Sequence, residues 1–162
     1  MIQRRTLLAT TPALLLVACQ QGTSTKTQLQ TIAGLATAGI DAVGASVLAT
    51  PGLAADTASK INAAVATVNS ANAVIQGATA TVGANAQQIV SAIRMAAPLL
   101  LANVNASSNE AIAINAAVAL LPTILAAAGA PAPAPTAAMA HGAPVAMKAE
   151  DATRFLHSYT GK

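Results

Sequence analysis

Ile61, Val65, Val68, Asn72 and Ile75 recur at alternating steps of four and three. That spacing puts all five on one face of an α-helix, whereas a strand repeats every second residue. Three further segments carry the same periodicity. They are Leu29, Ile32, Ala36, Ile40, Val43 and Val47; then Ile89, Ile93, Ala96, Leu100 and Val104; then Ile114, Val118, Leu121 and Leu125. Separate amphipathic segments must bury their stripes against one another. Apolar residues make up 54% of the chain, yet it holds one Phe, one Tyr and no Trp. The balance is largely alanine, the best helix former and a small contributor of buried area. The expected fold is all-α: an Ala-rich antiparallel bundle of about four helices, followed by a Pro/Ala linker and a short C-terminal helix.

Start and stop signals divide the segments. Thr25 to Gln28 reads as a capping box, and Ser107 with Glu110 reads as another. Thr50-Pro51-Gly52 breaks the first segment, and the next helix starts at Pro51 or behind Asp56. Gly77 and Gly129 are natural stops. Pro98 and Pro122 fall inside the third and fourth segments and are expected to kink or split them.

After Gly129 the character changes to APAPAPTAAMAHGAPVA, which favours extended, weakly structured chain. Helical patterning returns near the end, with Ala152, Phe155, Leu156 and Tyr159 on one side. Both aromatic residues of the protein lie there, making Phe155, Leu156 and Tyr159 the candidate contact with a protein partner. The alternative for that face is to fold back and plug one end of the bundle. The chain thus divides into a leader (1–18), a tether (19–27), a bundle (28–129), a linker (130–147) and a C-terminal amphipathic helix (148–162).

The leader MIQRRTLLATTPALLLVAC has Arg4 and Arg5, then a short apolar stretch ending in small residues. Those are the parts of a secretory signal, and the apolar stretch is too short to span a bilayer. Leu16-Val17-Ala18-Cys19 resembles the lipobox of bacterial lipoproteins. The resemblance implies acylation of Cys19, cleavage between Ala18 and Cys19, and anchoring to a membrane by N-terminal acyl chains. Gln3 to Leu8, QRRTLL, resembles the core of a twin-arginine export signal. Gln20 after the cysteine implies sorting to the periplasmic face of the outer membrane. The polar stretch QQGTSTKTQ that follows suits a tether and argues against a buried or reactive thiol.

Charged residues are 8% of the chain, far fewer than in an ordinary soluble domain. Beyond the leader they are nearly balanced, with no basic patch and no interleaved aromatics, so no nucleic-acid partner is expected. Met139, His141, Met147 and His157 have no fixed spacing, and no metal or other cofactor is expected. The acids and histidines form no nucleophile–base pattern, so the chain is not read as an enzyme. Glu150 and Asp151 suit the first turn of the last helix without any catalytic use. The terminal Lys162 resembles, in outline, that of the murein lipoprotein joined to peptidoglycan. This chain is longer and less regular in its heptads, and the plain reading is a solvated end. A membrane-active alternative, such as a holin-like, pore or phage-exclusion protein, rests on residues 111–130. They run uncharged for a membrane's thickness, although nearly half of them are alanine.

Overall fold

The computed structural model describes residues 25–79, 83–131 and 147–161. The described residues form helices and no strand. They are α1 (Thr25–Leu48), α2 (Ala55–Gly77), α3 (Gly83–Leu101), α4 (Asn109–Ala119), α5 (Leu121–Ala127) and α6 (Ala149–Thr160). The leader, the Cys19 site, and most of the linker lie outside the described residues. The helical fold class expected from the stripes is the one observed.

α1 to α5 build an antiparallel four-helix bundle in which α4 and α5 follow one another as a single broken rod. Cross-links between elements fix the directions. Gln30 near the start of α1 donates from Nε2 to the carbonyls of Ile75 and Gln76 at the end of α2. Gln76 Nε2 returns a bond to the Gln30 carbonyl at 2.8 Å. Further along, Asn69 Nδ2 donates to Asp41 Oδ1 at 2.8 Å. This amide clasp covers carbonyls that a helix end leaves without partners. Gly83 at the start of α3 lies beside Ala128 and Ala130, just past the end of α5.

Local chemistry explains the breaks. Pro51 and Gly52 form the turn before α2, with Gly52 at φ 83° and Leu53 N–H reaching the Thr50 carbonyl at 3.4 Å. A positive φ at that turn position favours glycine. Asp56 sits in the first turn of α2 and pairs with Lys60 at 2.6 Å, a fully exposed contact of small energetic weight. Gly129 ends α5 at φ 65°, with Ala130 N–H on the Leu125 carbonyl at 2.9 Å and Gly129 N–H on Ala126 at 3.1 Å. That bond pair is a Schellman cap.

Three expectations need correction. The helix starts at Thr25, so residues 25–27 assigned to the tether already belong to α1. The cap of α4 is Ser108, whose hydroxyl accepts from Ala111 N–H at 3.2 Å, while Ser107 bonds Asn105. Of the two prolines, Pro122 divides its segment as expected, whereas Pro98 leaves α3 unbroken. Pro122 sits in the first turn of α5, where its missing donor costs nothing, and there the rod divides. Pro98 stays within α3 because it is exposed in the last turn. The carbonyl it leaves without a donor is that of Arg94, on the same side.

The core is built from branched aliphatics and alanine, with Ile40, Ile61, Ile75, Ile89, Ile93, Leu100 and Ile114 among its fully buried side chains. Small residues let the helix axes approach. A Cβ added at Gly44 of α1 would lie 2.7 Å from Val65 Cγ2 of α2. Among the described residues one polar side chain is out of place: Thr37 is 3% exposed and its hydroxyl has no hydrogen-bond partner. Thr37→Val exchanges that hydroxyl for a methyl of similar shape. It is expected to raise unfolding free energy by about 1 kcal/mol, read as a higher urea midpoint at unchanged slope.

Candidate interaction face on the C-terminal helix

α6 is short and depends on docking for its order. Glu150 and Asp151 occupy its first turn, where negative charge complements the helix dipole. Arg154 reaches Asp151 at 3.7 Å, both well exposed. Gly161 closes the helix at φ 68°, its N–H on the His157 carbonyl. Thr153 and Thr160 return their hydroxyls to carbonyls one turn back, Ala149 and Leu156, so neither is left to compete outside the helix.

The side expected from the sequence to be apolar is the side that docks. Ala152 and Leu156 are fully buried, and Phe155 and Tyr159 are half-buried. The two rings stack with centroids 5.8 Å apart and planes at 14°. Leu156 fills a hole that exists because residue 39 has no side chain. A Cβ at Gly39 would meet Leu156 Cδ2 at 2.6 Å and the Ala113 carbonyl at 3.9 Å. α6 therefore lies along the seam between α1 and α4, at mid-length on α1, rather than across an end of the bundle.

A small polar cluster borders the seam. Ser46 at the end of α1 donates its hydroxyl to Glu110 Oε1 at 3.3 Å. Bonds from the Glu110 backbone N–H, then from the Ser108 hydroxyl, hold this carboxyl below its ordinary range, with Ser46 adding to them. Tyr159 is pushed the other way: burial raises the phenol, and the Glu110 charge adds to it. Docking of α6 then keeps its full strength below the ordinary phenol range and weakens as pH climbs through the raised value. The chain has one tyrosine, so phenolate absorbance follows that group alone. The expected result is a coincident loss of α6 protection at alkaline pH, absent in Tyr159→Phe.

Of the residues singled out from sequence, Phe155, Leu156 and Tyr159 come together, with Leu156 turned into the core. Arg4, Arg5, Ala18 and Cys19 lie outside the described residues, as do Met139, His141 and Lys162. Met147 packs on the core, and His157 is exposed on the outer side of α6. Among the described residues no three His, Cys, Asp or Glu side chains gather as a metal site would require. Gly39 and Glu110 were not legible as neighbours of α6, because neither sits on a stripe. The chain matches no family model, no curated protein and no solved structure.

Proposed function

We propose that the protein is a small exported lipoprotein, anchored through acyl chains on Cys19, with a structural or protein-interaction role in the cell envelope. The observation that carries this reading is the sequence Leu16-Val17-Ala18-Cys19, behind Arg4, Arg5 and a short apolar stretch. A bundle with few charges and a polar tether suits a protein held at a membrane surface. Several acyl chains together supply firm anchoring, at roughly 0.8 kcal/mol per buried methylene. The periplasmic face of the outer membrane is the favoured site, reached by the general secretory or the twin-arginine route. A partner would contact the half-buried edges of Phe155 and Tyr159.

Intact mass of the mature N-terminus, with membrane fractionation, tests the reading. The expected product begins at Cys19 and carries acyl mass; a chain that keeps Met1 to Ala18 without acyl mass overturns it.

A second reading is favoured by a separate observation. α1 and the α4–α5 rod are long and apolar enough to cross a membrane by length and composition, with half of each apolar window buried inside the bundle. Core helices of soluble bundles share those properties. In the membrane-active reading, residues 111–130 insert. Alkaline extraction of a Cys19→Ser chain from which residues 1–18 have been removed separates the readings: a soluble chain means lipid was the anchor, and a pelleted one means the helices are.

A further inference from the structure

Two observations coincide at α6. The helices apolar enough to cross a bilayer are α1 and the α4–α5 rod. The helices against which α6 packs are α1 and α4. The geometry points to α6 as an amphipathic strap that keeps this helix pair in water, its release giving the pair a surface suited to the acyl phase of a membrane. This rests on the membrane-active reading above and adds to it the element that controls exposure.

The distribution of charge supports the assignment. Across its whole length α1 carries Lys26 and Asp41, and the α4–α5 rod carries Glu110 alone. Asp41 is bonded to Asn69 of α2, so it is held toward α2 rather than at the seam. Lys148, Glu150, Asp151, Arg154 and His157 are exposed on α6. A docked α6 therefore places a charged surface over the seam at Gly39 and Ala113. With α6 off, the hole that Leu156 fills opens beside two apolar helices. At 1.5 Å per residue α1 is about 36 Å long and the α4–α5 rod about 28 Å, close to the hydrocarbon thickness of a bilayer.

The docking contact is also confined enough to be released alone. α6 is joined to α5 through residues 132–146, a Pro/Ala-rich stretch, and its buried anchors are Ala152 and Leu156. The Gln30–Gln76 clasp and the Gly44–Val65 contact lie between α1 and α2, so undocking α6 leaves them in place.

Flotation with phosphatidylethanolamine–phosphatidylglycerol vesicles tests the strap on a chain beginning at Gln20. That chain holds every described residue and has neither the leader nor Cys19. Three forms are compared: the unaltered sequence, Leu156→Asp, and an oxidised Gly39→Cys/Leu156→Cys pair that ties α6 down. The last is feasible because the two positions face each other and no other cysteine is present. Leu156→Asp is expected to float about tenfold more than the unaltered chain, equivalent to about 1.4 kcal/mol of partitioning, and the tied form not at all. If no form floats, the membrane-active reading fails and the strap fails with it. If all three float alike, the bundle binds membranes but α6 does not control it, and the strap alone is overturned. Far-UV circular dichroism checks that the bundle persists; should Leu156→Asp unfold, Phe155→Ser/Tyr159→Ser takes its place and its flotation decides.

Discussion

Leu156→Ala is expected to lower unfolding free energy by about 2–4 kcal/mol and to detach α6 while α1 to α5 stay folded. Leu156 is the one large side chain that α6 buries completely, and the other fully buried residue of that helix is Ala152. Removing it leaves a cavity over Gly39 that the neighbouring alanines are too short to fill. A helix as short as α6 does not hold its shape in water without such a contact. The loss is thus local, and amide hydrogen exchange is the measurement that resolves it. Protection should vanish over Ala149–Thr160 and persist over Ile89, Ile93 and Ile114. The partner position gives the control. Gly39→Ala alone forces Leu156 aside and destabilises; in the Leu156→Ala background it fills part of the cavity and stabilises, aided by alanine's helix preference of about 1 kcal/mol over glycine. A reversal of sign between backgrounds is the signature of direct contact. Additive effects would show that the two residues do not meet.

Gly44→Leu is the second large effect. α1 and α2 approach so closely there that even a Cβ would overlap Val65, whose other side-chain atoms lie at 3.9 Å. Val65 is β-branched and has little rotamer freedom with which to retreat. A leucine must push the helices apart along a line that also carries the Asp41–Asn69 bond and the Gln30–Gln76 clasp. The expected cost is about 2–3 kcal/mol, seen as a lower thermal midpoint. Gly44→Ala/Val65→Ala should recover most of the stability, because the β-methyl then has the space that the valine branches occupied.

These two positions also mark where sequence reading stopped. Helix-period stripes gave α2 and α3 well, because each buries one face. Ile61, Val68 and Ile75 are buried as expected, and so are Ile89, Ile93, Ala96 and Leu100. α1 was legible as a helix but not in its surroundings. It touches α2, α3, α4, α5 and α6, and Ala33, Leu35, Thr37, Gly39 and Gly44 are buried in addition to its expected stripe. A helix covered on several sides has no single face for periodicity to reveal. The stop at Gly129 was legible because a left-handed residue after a helix favours glycine. The choice of Ser108 over Ser107 as cap was not. Both are serines followed by helix-compatible residues, and the decision falls to where the chain leaves Asn105. For α6, the pattern gave the apolar side but not its destination, since a stripe records that a face is buried and not by what.

The contact between Leu156 and Gly39 has a consequence for the order in which the molecule is made. α1 is made first, and the helix that completes its enclosure follows only after α2 to α5. Until α6 is made, the seam between α1 and α4 lacks that cover, and the nascent chain presents an apolar groove. Long-range closure of this kind slows folding relative to a bundle joined only by neighbouring helices. It also sets a length threshold: a chain released before Leu156 leaves the groove open for good. The growing polypeptide is thus a client for whatever binds exposed apolar helices, and it ceases to be one when α6 docks.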